Sequence, residues 1–195
     1  MNATITKEEL EILPVEAFEG KIIVIQTEKE AKKAIEFLKK FDAVGFDTET
    51  KPSFKKGTTN KVALLQLATL EYCFLFRLNF IGFPDVLKEF LSNPDVKKIG
   101  LSVKDDFGSM RRRENIVPRS FIDIQEIAPK YCIEEKSLQK IFALLFGKKI
   151  SKNQRLSNWE NDILTDAQKK YAATDAWACC KIYQAFQQMT VGSLR

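Results

Sequence analysis

The sequence predicts one α/β domain in which helices flank a mixed β-sheet. Short apolar runs that are typical of strands alternate with longer segments of helical periodicity. Two of the strand-like runs follow each other so closely that they predict an antiparallel hairpin. The chain has 195 residues, of which 45% are hydrophobic, and this is enough for one well-filled domain but not for two.

The first half of the chain predicts strands that alternate with helices. In chain order, these are a strand at 21–26, an amphipathic helix at 28–41, a buried strand at 43–49, strands at 61–68 and 71–78, and a helix at 83–93. The strands are runs of β-branched, leucine and aromatic residues, and the helices have apolar side chains at three- and four-residue steps. The last two strands would form the hairpin.

The second half predicts further strand–helix units and a long final helix. They are a strand at 96–103 that runs into a helix at 104–115, a strand-to-helix joint at 120–128, a helix at 137–147, a basic polar loop at 148–162 and a helix from Thr165 to about Met189. Gly147 would end the helix before that loop. Gln168 follows Thr165 at the spacing of a capping box. We expect residues 1–19 to form an N-terminal extension and residues 20–195 to form the domain.

The composition excludes several kinds of active site. The sequence contains no histidine, which removes Ser-His-Asp and Cys-His catalysis, histidine general bases and nearly all ordinary catalytic zinc sites. Its cysteines show no CxxC spacing, so we expect buried thiols rather than a zinc site or a disulfide framework. The remaining possibilities are carboxylates, Tyr, Lys, Arg, Ser or Cys, or a hard metal with oxygen ligands.

We expect a soluble, cytoplasmic protein with a surface that tolerates phosphates. No apolar run approaches the roughly 18 residues of a membrane span, and the N-terminus has no signal-peptide core. The net charge is +5, and the basic residues occur in clusters. The clusters are Lys55-Lys56, Lys97-Lys98, Arg111-Arg112-Arg113, and Lys148-Lys149 with Lys152 and Arg155. Each cluster by itself is also compatible with a solvated helix face.

The strand at 43–49 carries two acidic residues near its end. Asp47 and Glu49 project to the same side, because alternate residues of a strand share a face. Two like charges side by side at the end of an apolar strand repel each other strongly where the dielectric constant is low. The alternative is that the strand ends before Asp47 and that both carboxylates are solvated.

Two helices each direct a further aspartate toward the core. Asp106 shares a helical stripe with Val103 and Met110, whereas Asp105 lies on the solvated side of that helix. In the final helix, Asp175 lies in the middle of the core-facing stripe. A hydrogen-bonded structural aspartate is the alternative explanation for Asp175.

Inward-pointing acids from three elements favour a site for divalent metal. Mg²⁺ and Mn²⁺ take hard oxygen ligands, leave room for water and a substrate phosphate, and relieve the repulsion between carboxylates. Two such ions about 3.5–4 Å apart activate a water and stabilise the leaving oxygen in phosphodiester cleavage. Tyr171 lies one helical turn before Asp175 and within reach of it.

The acidic segments resemble the three exonuclease motifs of the DEDD superfamily, in its tyrosine subgroup. The motifs are "FDTE", the Asp106 segment and "YAATD". The resemblance covers about residues 20–190 and includes "KVALLQL", "KKIGLSVKDD", "LSNWEND" and "LTDAQKKYAATDAWA" in the order of the family. It is strongest to exonuclease domains of the Werner syndrome helicase type, and ribonuclease D is more distant. The histidine subgroup is excluded because the chain has no histidine.

This resemblance implies a ribonuclease H-like fold and 3′–5′ hydrolysis of nucleic acid to nucleoside 5′-monophosphates. Asp47, Glu49 and Asp175 match the ligands of a first Mg²⁺ or Mn²⁺ ion. Asp47 matches the site of a second ion, together with Asp106 acting through waters. Tyr171 matches the residue that positions the attacking water. A free phenol has a pKa near 10, so we expect Tyr171 to orient the water rather than to act as a strong base.

The resemblance also suggests residues that contact the nucleic acid. The candidates are Thr50, Leu65, Phe107, Lys152, Arg155 and Trp159. The first three match positions near the terminal base, and Phe107 stands where the Werner domain has a tryptophan. The last three lie in the basic loop, where phosphates could bind. A core role for Leu65 and an anchoring role for Trp159 are open alternatives.

We expect a stand-alone, weakly processive exonuclease that binds single strands or recessed 3′ ends of DNA or RNA. We expect it to bind no membrane and to need no nucleotide cofactor. Its grip on the substrate should depend strongly on salt. The sequence does not choose between DNA and RNA, because a check on the 2′-hydroxyl depends on contacts within a pocket. A degenerate nucleic-acid-binding module and a phosphodiesterase for small nucleotides or dinucleotides are the alternative functions.

Overall fold

A six-stranded mixed sheet forms the centre of the structure, a computed structural model that describes residues 3–53 and 60–189. Its strands are β1 (Lys21–Ile25), β2 (Ala43–Thr50), β3 (Val62–Ala68), β4 (Tyr72–Arg77), β5 (Lys97–Gly100) and β6 (Phe121–Asp123). Their order in the sheet is β1-β4-β3-β2-β5-β6. Antiparallel pairing joins β2 to β3 and β3 to β4, and the other pairs are parallel. The predicted mixed sheet and hairpin are confirmed.

Helices cover both faces of this sheet. They are α1 (Lys7–Ile12), α2 (Glu28–Leu38), α3 (Leu78–Ile81), α4 (Asp85–Ser92), α5 (Val103–Arg111), α6 (Ile124–Ile127), α7 (Leu138–Phe146) and α8 (Asp166–Gln188), and a 3₁₀ turn spans Ala128–Tyr131. One apolar cluster joins α2, α4 and α5 to one face, and another joins α6, α7 and α8 to the other face. The central strand β3 is therefore buried along its whole length.

The main differences from the prediction lie at the ends of elements and in short helices. The strand predicted at 96–103 ends at Gly100, and the helix after it ends at Arg111. Ser102 interrupts the extended chain because it has a φ of 56°, in the left-handed region. The short helices α1 and α3 and the 3₁₀ turn were not predicted, since segments of this length carry little periodicity.

A glycine lets the final helix approach β2 closely. A Cβ atom at Gly45 would lie 1.8 Å from the carbonyl oxygen of Ala176, so any other residue would push α8 away from the strand. Ala172 is fully buried on the same side of α8. The predicted capping box is confirmed, because the Thr165 hydroxyl accepts a hydrogen bond from the backbone N–H of Gln168 at 3.2 Å. These contacts determine where the middle of α8 meets β2.

The segment before β1 packs on the same side of the sheet as α8. The backbone N–H of Phe18 donates to the Thr174 hydroxyl at 3.0 Å, and the Phe18 ring belongs to the apolar cluster of that face. The backbone N–H of Glu16 donates to the carbonyl of Lys149 at 2.8 Å. Its carboxylate forms an ion pair with Lys181 at 3.0 Å. No helix of the described residues has the length and apolar character that crossing a bilayer requires.

Two predictions about exposure are wrong. Lys98, predicted to belong to a basic surface cluster, is fully buried, and its Nζ donates to the carbonyls of Asn93 at 2.7 Å and Phe90 at 3.4 Å. Burial lowers the pKa of Lys98 to about 8. Cys132 is partly exposed, whereas the other three cysteines are buried as expected. The Lys55-Lys56 cluster lies outside the described residues.

Candidate active site

The end of β2 and the middle of α8 bring three carboxylates together. Asp47 and Glu49 lie on the same face of β2, and Asp175 faces them from α8. One carboxylate oxygen from each residue lies within 4.8 Å of those of the other two. Because β2 continues to Thr50, the alternative in which the strand ends before Asp47 is excluded.

Burial raises the pKa of all three carboxyl groups. Burial is the main cause for Asp47, and the charge of Asp175 adds to it. The pKa of Glu49 is raised to about 10 by burial and then by the charges of Asp47 and Asp175. Burial raises the pKa of Asp175 to about 7, although a hydrogen bond from Tyr171 acts in the opposite direction. A cation bound between the oxygens would reduce the repulsion between the ionised carboxylates.

Asp106 approaches the cluster from the opposite face of the sheet. It belongs to α5, which packs with α2 and α4, and its carboxylate accepts a hydrogen bond from the Thr48 hydroxyl. Burial and then the charge of Asp47 raise the pKa of Asp106 to about 8. Among the described residues, Asp106 is therefore a neighbour of the three-carboxylate cluster rather than a member of it. The choice of Asp106 over the exposed Asp105 as the inward residue is confirmed.

Sequence reasoning missed the residue that holds α5 in place. The carboxylate of Asp123, 7% exposed at the end of β6, accepts hydrogen bonds from the backbone N–H groups of Ser102 and Val103 at 3.0 Å each. It also accepts one from Gln125 at 2.9 Å. These bonds anchor the N-terminus of α5 and so place Asp106. The position of Asp123 at the joint between a strand and a helix is the sequence signal that could have indicated this role.

The Tyr171 hydroxyl lies beside the acidic cluster. It is hydrogen-bonded to the Asp175 carboxylate, and its ring lies 6.0 Å from the ring of Trp159. Burial and then the negative charges of Asp175 and Glu49 raise the pKa of Tyr171 above its ordinary value. The phenol therefore keeps its proton near neutral pH and can orient a water through hydrogen bonds.

Two of the residues predicted to contact nucleic acid are buried in the structure. Leu65 is fully buried in the apolar cluster between the sheet and α2, α4 and α5. Trp159 is also fully buried and anchors the loop between α7 and α8. The same loop is held by Arg77, which donates to the backbone carbonyls of Asn161 and Asp162. In both cases the alternative role stated from the sequence is the one observed.

The remaining predicted contacts lie at the rim of the cluster or near it. Lys152 and Arg155 are exposed, and their charges act on Asp175 and Glu49 respectively, lowering the pKa of each. Thr50 and Phe107 are partly exposed. The Phe107 ring packs edge-on against Phe121 at 4.8 Å. This rim can present positive charge and an aromatic edge to a polyanionic ligand.

The family follows from a match that covers most of the chain. Residues 22–190 match the 3′–5′ exonuclease family. The chain belongs to this family. It is 38% identical to the mouse bifunctional 3′–5′ exonuclease/ATP-dependent helicase WRN over 149 residues, which is 73% of this chain but 11% of the mouse protein. The predicted resemblance to the Werner type is confirmed, and the chain spans only a small part of that relative.

Two solved structures share the fold of this chain. The EXO domain of Aedes aegypti Nibbler superimposes with a TM-score of 0.75 at 20% identity, over 96% of this chain and 91% of that one. Escherichia coli RNase D, an exoribonuclease involved in structured RNA processing, gives 0.72 at 22% identity, over 85% of this chain and 45% of that one. The predicted ribonuclease H-like fold is confirmed.

Proposed function

We propose that this chain is a metal-dependent 3′–5′ exonuclease that releases nucleoside 5′-monophosphates from the 3′ end of nucleic acid. The observation that carries the proposal is the cluster of Asp47, Glu49 and Asp175, whose oxygens lie within 4.8 Å of one another. Partly buried carboxylates this close are unfavourable unless a cation binds between them. We assign the exonuclease domain to residues 20–195 and treat residues 1–19 as an N-terminal extension, of which the segment before β1 packs on the domain.

The donor set of the cluster fits hard divalent ions such as Mg²⁺ or Mn²⁺. All of its members offer carboxylate oxygens, and none of them is a nitrogen or sulfur ligand of the kind that zinc prefers. Asp47, Glu49 and Asp175 would hold one ion, and Asp47, together with Asp106 acting through waters, would hold a second. When bound, such a pair of ions lowers the pKa of a water and stabilises the leaving oxygen of the phosphodiester.

Tyr171 serves this reaction as a hydrogen-bonding group that orients the attacking water. Its hydroxyl keeps its proton because burial and neighbouring charges raise its pKa. Tyr171→Phe keeps the ring against Trp159 but removes the hydroxyl. We expect kcat to fall about a hundredfold while the affinity for Mn²⁺ stays within about twofold.

The substrate is a single strand or a recessed 3′ end of DNA or RNA. Lys152 and Arg155 would contact its phosphates from the basic loop, since both are exposed and their charges reach the cluster. Thr50 and Phe107, which are both partly exposed, would contact the terminal nucleotide. Leu65 and Trp159 support this surface from the core.

Degradation of a 5′-labelled oligonucleotide tests the proposal. With Mg²⁺ or Mn²⁺, the full chain should give a ladder that shortens from the 3′ end, and EDTA or Asp47→Ala should abolish it. Asp106→Ala should also abolish it, whereas Asp105→Ala is a matched control on the same helix, because its side chain is exposed. DNA and RNA strands of the same sequence, tested side by side, give the sugar preference.

Two other results would contradict this function. Tight binding of the oligonucleotide without metal-dependent cleavage would indicate a degenerate binding module. Rapid turnover of dinucleotides, with longer strands left intact, would indicate a small-nucleotide phosphodiesterase that uses the same acidic cluster.

A further inference from the structure

Gln66 is a buried polar residue that the proposed function leaves without a role. It lies within β3, all of whose residues are buried, and it is 0% exposed. Neither its carboxamide nitrogen nor its oxygen has a hydrogen-bond partner among the described residues. Most buried amides are hydrogen-bonded, because an unpaired one lowers stability. An orphaned amide at the centre of a sheet therefore points to a partner that is engaged during function.

The register of the sheet identifies that partner. The antiparallel pairing of β2 with β3 sets Asp47 directly opposite Gln66. Opposite residues of such a pair share a face, and their Cβ atoms are about 4.5–5.5 Å apart. The flanking residues Leu65 and Leu67 point to the other face, into the cluster with α2, α4 and α5. Gln66 thus extends on the α8 side of the sheet, next to the acidic cluster.

We propose that Gln66 is a positioning residue for the metal site, and that its carboxamide N–H holds the Asp47 carboxylate in the orientation that binds a divalent ion. This inference rests on the proposed function. An ionised carboxylate only accepts hydrogen bonds, and a glutamine amide offers two donors. The amide is neutral, so it can donate to one Asp47 oxygen without competing with the metal ion for the carboxylate. A lysine or an arginine at this position would compete, because its positive charge would pair with Asp47.

Groups that act behind a metal ligand in this way have measurable effects on metal affinity. Their removal typically weakens metal binding or activity about 10–100-fold. The competing explanation is that Gln66 merely fills space in the core. Methionine separates the two, because it has nearly the length and volume of glutamine but does not donate hydrogen bonds.

The test compares Gln66→Met with Leu75→Met in the full chain. Leu75 is the residue of β4 that pairs with Gln66 on the side away from Asp47, so Leu75→Met repacks the same layer without touching the acid. Mn²⁺ affinity is measured by calorimetry, and thermal unfolding is measured in EDTA. We expect Gln66→Met to raise the Mn²⁺ dissociation constant about tenfold or more and to melt in EDTA at the parent temperature or above. Leu75→Met should bind Mn²⁺ within about twofold of the parent.

Activity gives a second readout that a structural role would not produce. In Gln66→Met, kcat should fall while KM for the oligonucleotide stays unchanged. An Mn²⁺ dissociation constant within twofold of the parent value would overturn the inference, and Gln66→Leu provides the same comparison if the methionine variant does not fold. Failure of the parent chain to bind Mn²⁺ would instead overturn the proposed function, and the inference with it.

Discussion

Asp47 and Asp123 are both acidic residues near strand ends, but their surroundings are opposite. Asp123 is satisfied by three backbone N–H groups. Asp47 lies among Asp175 and Glu49, and burial together with the charge of Asp175 raises its pKa. A buried acid that the backbone satisfies stabilises the fold, whereas one surrounded by other acids weakens it. The lack of compensation, rather than burial, is what distinguishes the acid that we propose as a metal ligand.

The buried cations follow the pattern of Asp123. Lys98 donates to backbone carbonyls of the segment that follows α4, and Arg77 donates to carbonyls of the loop before α8. Each charge holds a piece of irregular chain against the sheet. The carboxyl groups of the described residues whose pKa is raised are those at the end of β2 and on the helices beside it: Asp47, Glu49, Asp106 and Asp175.

Asp47→Asn should have the largest effect on activity, and it tests most directly whether Asp47 differs from Asp123 in its effect on stability. Activity should fall by more than about a hundredfold, because the loss of a direct ligand exceeds the loss of an outer partner. In EDTA the same variant should be more stable than the parent, since it removes a repulsive buried charge. Thermal unfolding should show this as a rise of about 2–4 °C for each kcal/mol gained. A lower melting temperature in EDTA would contradict the account of Asp47.

Asp123→Ala should have the opposite effect on stability. It leaves three backbone N–H groups without their acceptor, and we expect the free energy of unfolding to fall by about 3 kcal/mol. Urea denaturation measures this loss. Asp105→Ala is the control and should stay within about 0.5 kcal/mol of the parent because the residue is exposed. A loss below about 1 kcal/mol for Asp123→Ala would mean that these hydrogen bonds do not hold α5.

The metal-free chain should lose stability as the pH rises from about 5 to about 8. An unfolded aspartate releases its proton near pH 4, whereas the folded chain keeps protons to about pH 7 at Asp175 and about pH 8 at Asp106. The folded state binds more protons in this window, so raising the pH favours unfolding by about 1.4 kcal/mol per unit for each proton held.

Urea denaturation in EDTA at several pH values measures this slope. Saturating Mg²⁺ should flatten it, because metal binding requires the ionised carboxylates. Stability in EDTA that increases between pH 5 and pH 8 would show that the cluster is not repulsive.

The smallest effects are expected from substitutions of the exposed cations in the basic loop before α8. Lys152→Ala and Arg155→Ala should each weaken oligonucleotide binding a few-fold and reduce the slope of log affinity against log salt by about 0.7. Lys29→Ala, an exposed position in α2 on the other face of the sheet, should leave the slope unchanged. Equal slopes for all three variants would show that the basic loop does not contact the phosphates of the substrate.

Local sequence was sufficient to predict most of the elements and the main acids. The capping box of Thr165 and Gln168 and the helix end at Gly147 depend on residues a few positions apart, and both are observed. The shared face of Asp47 and Glu49 follows from the pleat of a strand. The inward stripe of α8 likewise predicted that Asp175 faces the core. In each case the decisive interactions lie within one element.

Other features depended on partners far apart in the chain. The sequence around Lys98 predicts a surface residue, but in the structure its Nζ donates to the backbone carbonyls of Phe90 and Asn93. Nothing near Gln66 in the sequence indicates that it pairs with Asp47, because that pairing is set by the register between β2 and β3.

The amino-acid sequence therefore specified the periodic elements, the absence of histidine chemistry and the acids that point inward. Packing determined which of those acids meet. The approach of α8 at Gly45 brings Asp175 to Asp47 and Glu49, while the anchor at Asp123 leaves Asp106 on the far side beside Thr48. Distances between side chains from separate elements arise only when the whole sheet and both helical layers are assembled, since no single segment contains both partners.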